Sequence, residues 1–460
     1  MSSSFIFRLF REYAVLGIIA AIILCLAWLF LHFFIFRPKQ IKLPLRKVIL
    51  YAIFICYMTI VTGAVFLSRS QSVFRATTYL QPLFLFKEAW HYFSFVAWRN
   101  LILNILMFVP FGILLPLLSD KFKRLWKIVC IGFAASVLIE SVQFMTGRGQ
   151  ASTDDVITNT LGALIGYGLI MAWQNIKNKT ERSPLKIIGY LSPLCISVLV
   201  FISIFMVYHV QEFGNMPLNL HRQNMSNVVV SSVIELSEGR VMATVYQVDP
   251  LNRAQARDLA EYFFEQIGTS MNPQRSPIFY PNSAFFYSKN GGVLIVNFQT
   301  RTYRYVDFSS ATEADSTLSE DKVRRLLTDF GVDIPTNAEF INYGDGQYIF
   351  TVDDTGLGQW LTGQLRIWIR KDGTIRQIDN AMFTVFEAAE REIISETEAL
   401  RRIKEGRFQF WSHYEELHTV EVLSIALDYV FDTKGFYRPT YVFESLINDG
   451  EVVSIMIPAF

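Results

Sequence analysis

Six polar residues in strongly apolar surroundings are the first candidates for chemistry in this sequence. They are Asn104, Glu140, Gln143, Arg148, Asp155 and Asn159. Glu140 and Gln143 are three residues apart, so they share one helix face. Asp155 and Asn159 are four residues apart and share another face. Because short loops join these segments, we expect the two faces to meet and to form a polar binding site.

The chemistry open to this cluster depends on how its carboxylates are paired. A carboxylate buried among apolar helices costs several kcal/mol unless a partner compensates its charge. Arg148 or Arg99 could supply that partner for Glu140 or Asp155. Glu140 could also act as a general acid or base if its neighbours raise its pKa. The sequence has no H-E-x-x-H, G-x-S-x-G, P-loop or G-x-G-x-x-G motif, so we leave an enzymatic activity open and favour a binding function.

The same segments have a structural alternative. Ser152 and Asp155 stand at the spacing of a capping box, and acidic residues favour the first turn of a helix. Gly162 and Gly166 have the small-x-x-x-small spacing of close helix packing, and Gly112 is a third candidate for such a contact. Capping and packing therefore compete with ligand binding as explanations for each residue taken alone.

Long apolar segments dominate the first 210 residues. A helix needs roughly 20 apolar residues to cross the hydrocarbon core of a membrane, and six segments approach that length. They are Tyr13–Phe36, Val48–Leu67, Leu101–Leu118, Ile128–Met145, Val156–Trp173 and Ile187–Val207. The first segment lacks a small-x-small cleavage site, so we expect an uncleaved anchor. The sequence thus predicts an all-α membrane bundle of about six transmembrane helices.

Charge divides the chain into two unlike halves and predicts its orientation. Residues 1–210 contain 20 Lys and Arg against seven Asp and Glu, whereas residues 211–460 contain 22 against 34. The loops after the first, third and fifth segments contain 13 of the basic residues and should be cytoplasmic. The N-terminus and everything after the sixth segment would then lie outside the cell, although Arg8 and Arg11 argue mildly against that position for the N-terminus.

Three parts of the membrane half together resemble the VanZ family. They are the segment Asn104–Gly112, the pair Glu140 and Gln143, and the run from Arg148 through Asp155 to Gly166. The resemblance covers about residues 47–175. It implies a bacterial membrane protein linked to low-level resistance to teicoplanin-type glycopeptide antibiotics, without a settled biochemical activity. We therefore expect the polar site to bind an antibiotic, a lipid-linked wall precursor or a lipid headgroup.

Residues 68–100 join the second and third apolar segments and are rich in aromatic side chains. The richest stretches are Tyr79–Phe86 and Trp90–Phe95. Aromatic rings with a polar tip favour the headgroup zone of a membrane. The composition predicts an interfacial segment on the outer leaflet, with a lid over an outer-leaflet site as the alternative.

The last 250 residues predict an extracytoplasmic α+β domain with antiparallel sheets. Helices are indicated at Asn252–Ile267, at Ser319–Phe330 and from the capping box of Ser395 and Glu398 onward. Hairpins are indicated at Asp372-Gly373 and between segments 427–432 and 437–444. The polar stretch 211–232 is a predicted stalk. Segments 394–406 and 427–444 are similar to the YycI/YycH type of domain with PepSY-like units, which implies a modulator of a cell-wall-sensing histidine kinase.

These observations divide the chain into four parts and exclude several classes of function. The parts are an anchor with a basic loop at 1–46, a VanZ-like domain at 47–175, a basic loop with the last helix at 176–210, and the exported domain at 211–460. Since no Cys follows Cys195, the exported half has neither a disulfide framework nor a Cys-ligated zinc site.

The expected partners follow from the same composition. His413 and His418 stand near acidic residues, but a solvated helix end explains them better than a metal site, and we expect no metal or cofactor. The acidic surplus argues against nucleic acid as a partner. We expect the lipid bilayer, together with a wall precursor or a glycopeptide antibiotic. The alternative function is a signalling accessory that contacts a sensor kinase or another envelope membrane protein.

Overall fold

The computed structural model divides the chain into two compact units, one up to Glu212 and one from Phe213 to Phe460. It describes residues 44–67, 78–147, 149–178, 182–216, 223–280, 282–308, 318–356, 358–408, 417–448 and 450–460, together with Ile22, Thr180 and Leu218. The predicted first span, Tyr13–Phe36, lies outside the described residues apart from Ile22. Arg148 and His413 lie outside them as well.

The first unit is helical. Its helices are α1 (Leu45–Thr62), α2 (Phe84–Tyr92), α3 (Phe95–Leu118), α4 (Leu125–Thr146), α5 (Thr153–Lys177) and α6 (Pro184–Val210). A wider turn, Gly63–Leu67, continues α1. Five helices of the described chain are long and apolar enough to cross a membrane, namely α1 with its continuation, α3, α4, α5 and α6. The predicted membrane bundle is confirmed over this part, and the chain is a membrane protein.

Glycines bring α3 and α5 into backbone contact. A Cβ atom on Gly162 would lie 2.0 Å from the carbonyl oxygen of Ile105, and one on Gly166 would lie 2.0 Å from that of Val109. A Cβ on Gly112 would lie 1.9 Å from the carbonyl oxygen of Ala163. Small residues at such a helix interface let the backbones approach closely. This contact places the middle of α5 against the middle of α3.

Two short strands tie the start of α2 to the start of α5. Strand β1 (Thr78–Tyr79) pairs in parallel with β2 (Ala151–Ser152). Ser152 then serves as the N-cap of α5, and its hydroxyl accepts a hydrogen bond from the backbone N–H of Asp154. Residues 78–85 are thereby placed beside the junction between α4 and α5.

The second unit is an α+β domain built on one 14-stranded sheet. Its strands are β3 (Val229–Ser232), β4 (Val241–Gln247), β5 (Ile278–Phe279), β6 (Ser283–Tyr287), β7 (Val293–Asn297), β8 (Tyr303–Val306), β9 (Glu339–Gly344), β10 (Gln347–Gly356), β11 (Gln359–Ile369), β12 (Ile375–Asn380), β13 (Phe383–Ile393), β14 (Thr419–Phe431), β15 (Phe436–Ile447) and β16 (Glu451–Pro458). The strand order is β3-β14-β15-β4-β13-β11-β12-β8-β7-β6-β5; β16 pairs with β15, and β9 joins through β10 to β11. The pairs are antiparallel except that of β3 with β14. The predicted class is confirmed.

Three helices cover this sheet and form two hydrophobic cores. Helices α7 (Arg253–Gln266) and α8 (Glu320–Asp329) contribute Phe264 and Leu327 to the first core. Helix α9 (Glu396–Lys404) contributes Ile403 to the second core. The three helices begin where the cap residues predicted, with a complete capping box at α7. At α9 only half of the box forms, because the Glu398 carboxylate pairs with Arg401.

The predicted stalk at residues 211–232 is wrong where the structure describes this segment. The ring of Phe213 packs against Phe436 and Phe460 at centroid distances of 5.1 and 5.3 Å. The backbone N–H of Gly214 donates to Asp432 at 2.6 Å, and β3 pairs along β14. Polar composition was misleading because the segment has few apolar residues, yet Met225, Val228 and Val230 pack against the second core and β3 pairs with β14.

Candidate polar site in the helical bundle

One end of the bundle gathers most of the predicted site residues. We call it the polar end; its residues are Asn104, Glu140, Gln143, Ser152, Asp154, Asp155 and Asn159. They come from the first half of α3, the last turns of α4, strand β2 and the first turns of α5. The structure does not gather their side chains into a single contact: Asn104 and Asp155 bind each other, and Glu140, Gln143 and Asn159 bind separate groups.

Glu140 is buried and bonded to backbone. Its side chain is 7% exposed, and Oε2 accepts a hydrogen bond from the backbone N–H of Ser152 at 3.1 Å. A carboxylate accepting a backbone N–H forms a charge-assisted bond. Glu140 therefore fixes the loop between α4 and α5 through strand β2, a contact that the expected pairing with an arginine did not foresee.

Gln143 and Asn159 are buried and join helices to one another. The Gln143 amide donates to the carbonyl oxygen of Val65 at 3.3 Å, which ties α4 to the continuation of α1. The Asn159 amide donates to the Ser136 hydroxyl at 2.9 Å, which ties α5 to α4. Within the described part of the chain, the Oδ1 atom of Asn159 is buried without a hydrogen-bond partner. Such an atom costs free energy unless something compensates it.

Asp154 is the residue of this site that the sequence prediction missed. It is fully buried, and its two carboxylate oxygens accept hydrogen bonds from the backbone N–H groups of Leu83 and Leu85, at 2.5 and 2.6 Å. Helix α2 begins after Leu83, whose φ of +64° is left-handed and whose apolar side chain cannot cap. A helix start needs acceptors for its first N–H groups. The absence of a capping side chain before α2 was therefore the sequence signal for an acceptor from a distant residue. Asp154 supplies that cap from 69 to 71 residues away.

Asp155 and Asn104 form the accessible part of the polar end. The Asn104 amide donates to Oδ1 of Asp155 at 2.7 Å, and both side chains are half-buried. The glycine contact between α3 and α5 brings them together, because Ile105 follows Asn104 directly and touches Gly162. The neighbouring carboxylates thus have different roles: Asp154 is enclosed by backbone, whereas Asp155 stands at an edge that solute can reach.

Comparison with known proteins shows what this region is similar to. A family model described as VanZ/LLP1 matches residues 48–174. Residues 48–174 form a VanZ-like domain. Protein VanZ of Enterococcus faecium is 36% identical over 89 residues, which are 18% of this chain and 53% of that protein. The chain therefore spans about half the length of that relative. No solved structure matches the chain.

The VanZ-like domain also holds the aromatic segment that the sequence places between the second and third spans. The described part of this segment begins at the polar end, where the Thr153 hydroxyl donates to the carbonyl oxygen of Leu80 at 3.0 Å. It ends against α6, where Phe93 stacks on Tyr208 and Trp98 packs on Phe205. Helix α2 is thus anchored at both ends, by Asp154 and by the rings of α6.

Proposed function

We propose that this membrane protein acts in the bacterial cell envelope and that the VanZ-like domain binds a ligand at its polar end through Asp155 and Asn104. One observation supports the proposal. Glu140, Gln143, Asp154 and Asn159 are buried and bound to other protein groups, whereas Asp155 and Asn104 are half-buried. A half-buried carboxylate in an otherwise closed polar cluster is where a solute can bind.

The chemistry of the pair limits the class of ligand. An ionised carboxylate only accepts hydrogen bonds, whereas an amide both donates and accepts them. The pair therefore suits a ligand rich in hydroxyl, amine or amide groups. The VanZ resemblance makes a teicoplanin-type glycopeptide, a lipid-linked wall precursor or a sugar-bearing headgroup the ligands to test.

The proposal requires the polar end to face outward. Basic residues in the loops predict this orientation, and single cysteines can test it in a variant without the four native ones. Ser231 is exposed in the second unit, and Lys121 is exposed at the opposite end of α3 from Asn104. A membrane-impermeant thiol reagent should label S231C and spare K121C in intact cells. Labelling of K121C alone would contradict the orientation.

Paired asparagine variants test the site itself. A susceptible host that produces the wild-type chain should show reduced teicoplanin susceptibility, and Asp155→Asn should remove this effect at an unchanged membrane level. Asp154→Asn is the matched control next to it, because it should lower the amount of folded protein instead. Wild-type protection by D155N at equal protein level would contradict the proposal.

A second function is supported by the size and charge of the other unit. The matched family region ends at residue 174, whereas residues 213–460 form a separate unit with two cores of its own. Residues 211–460 hold 34 acidic against 22 basic residues. We infer a signalling accessory that contacts a sensor kinase or another envelope protein. A chain ending at Glu212 should keep teicoplanin protection and lose a wall-stress reporter response; an unchanged reporter would contradict this second function.

A further inference from the structure

Four aromatic rings from four strands meet on the sheet of the second unit. Tyr246 of β4, Trp360 of β11, Tyr429 of β14 and Tyr437 of β15 form what we call the aromatic cluster. Tyr246 lies 5.5 Å from Trp360 and 5.4 Å from Tyr429, between ring centroids, and Trp360 lies 5.4 Å from Tyr429. Tyr437 lies 5.6 Å from Trp360 and 5.3 Å from Tyr429. All four side chains are half-exposed.

The cluster does not belong to the hydrophobic cores of the unit. None of its members is among the buried or packed residues of either core. Large rings that cost free energy when exposed usually lie in a core or at an interface. Here Tyr246 and Trp360 come from strands far in sequence from the β14–β15 hairpin that holds the other two rings, and part of each ring remains open to solvent.

Two exposed carboxylates lie near these rings: Asp353 contacts Trp360, and Asp428 accepts a hydrogen bond from the backbone N–H of Tyr429. Asp353 accepts a hydrogen bond from the indole Nε1 of Trp360 at 2.5 Å, which increases the electron density of that ring. Burial, followed by the charge of Asp428, raises the pKa of Tyr437 to about 12, with smaller effects of Tyr429 and Asp353. Burial, followed by Tyr246, raises the pKa of Tyr429 to about 12. Both phenols are neutral at physiological pH, and negative charge lies at the edge of the cluster.

Electron-rich ring faces bordered by carboxylates favour a cation over a neutral ligand. A cation over a Trp or Tyr face is attracted by the ring quadrupole, most strongly at Trp. The acidic surplus of residues 211–460 adds long-range attraction for a basic partner. Neither carboxylate favours an anionic ligand such as a phosphate headgroup.

We propose that the aromatic cluster, with Asp353 and Asp428, is a binding site for a lysine side chain presented by a basic segment of a partner protein. The ammonium group lies over the faces of Trp360 and Tyr429, and the carboxylates at the edge complete its charge compensation. This site lies wholly within the second unit and does not depend on the ligand of the polar end.

The test uses the full chain in a neutral polyoxyethylene detergent. The probe is a fluorescein-labelled pentalysine peptide with an amidated C-terminus, followed by fluorescence anisotropy; the matched peptide has every lysine side chain acetylated, which removes the charge and keeps the length. Wild type should bind the lysine peptide at least about tenfold more tightly than the acetylated one. Equal binding of the two peptides would overturn the proposal.

Variants of the cluster distinguish binding by the ring faces from general attraction to an acidic surface. Trp360→Leu should weaken the lysine peptide about tenfold, whereas Trp360→Phe, which keeps an aromatic face, should recover most of the affinity. Tyr429→Leu provides a second test if W360L is poorly folded, as judged by its thermal melt. Asp428→Asn should weaken binding a few-fold and flatten its salt dependence.

Two results would contradict the assignment. Unchanged affinity of both W360L and Y429L would show attraction by the acidic surface alone. Displacement of the peptide by an uncharged chitooligosaccharide, at a concentration where tetramethylammonium has no effect, would assign the rings to a sugar instead.

Discussion

The polar end of the bundle and the aromatic cluster of the sheet domain both hold side chains whose polarity differs from that of their surroundings, but they do so in opposite ways. At the polar end, polar groups lie among apolar helices, and most of them are enclosed by protein partners such as the backbone N–H of Ser152 and the hydroxyl of Ser136. In the aromatic cluster, apolar rings lie beside carboxylates and remain half-exposed. The comparison teaches that a side chain unlike its surroundings marks a candidate binding site only where the protein leaves it partly accessible. Asp155 is such a residue in the first region, and Trp360 is one in the second.

The largest expected effect concerns the contact that creates the polar end. Gly162→Ala puts a Cβ atom 2.0 Å from the Ile105 carbonyl oxygen, so α3 and α5 must separate. Overpacking of this kind costs about 3 kcal/mol or more. We expect a large loss of folded protein in membranes and of thermal stability in detergent.

Gly189→Ala is the matched control for that substitution. Gly189 lies in α6, and a Cβ atom there meets nothing within 4 Å. Both changes replace a helical glycine by alanine and gain the same intrinsic helix propensity. Similar stability of G162A and G189A would mean that α3 and α5 are not packed through their glycines.

The next largest effect on stability comes from removing one of the neighbouring carboxylates Asp154 and Asp155. Asp154→Ala removes a fully buried carboxylate that accepts hydrogen bonds from two part-buried backbone N–H groups, which should cost about 3 kcal/mol. Asp155→Ala removes the half-buried bond to Asn104 from a carboxylate that is not fully buried, and should cost less, about 1 kcal/mol. Thermal melts of both variants in the same detergent measure the difference. Equal losses would break the distinction between an enclosed and an accessible carboxylate.

A smaller effect concerns the hydrogen bond from the Asn159 amide to the Ser136 hydroxyl. Asn159→Leu leaves the Ser136 hydroxyl without its partner, whereas adding Ser136→Ala removes both polar groups. Replacing both partners of a buried hydrogen bond costs little compared with removing one. A double-mutant cycle should give a coupling of about 1 kcal/mol. Additive losses would show that the two side chains do not interact in the folded bundle.

Local signals made much of the fold predictable. Runs of apolar residues marked the five described spans, and the cap residues Ser319 and Ser395 marked two helix starts of the second unit. Such features depend on neighbours within a few residues. The starting point of α3 was placed six residues too late, at Leu101 instead of Phe95, because Arg99 and Asn100 interrupt the apolar run without ending the helix.

The rest depends on contacts between distant residues. No local pattern connects Asp154 with Leu83, so the prediction named Asp155 and left Asp154 out of the candidate site. The rings of Tyr246, Trp360 and Tyr429 belong to strands whose order in the sheet differs from their order in the chain. Strand pairing over such distances decides which side chains meet, and periodicity within one strand does not report it.

The smallest expected effect tests how far the aromatic cluster excludes water from the phenol of Tyr437. The pKa of Tyr437 is raised to about 12 in the folded chain, against about 10 in the unfolded one, so the folded state holds this proton more tightly. Its contribution to stability is complete below pH ~10 and is lost as the pH rises through ~12. A phenolate absorbance titration of wild type against Tyr437→Phe should therefore show the loss of one late-titrating group. If the missing group instead titrates near ~10, the rings are open to water, and the cluster resembles ordinary surface rather than a prepared cation site.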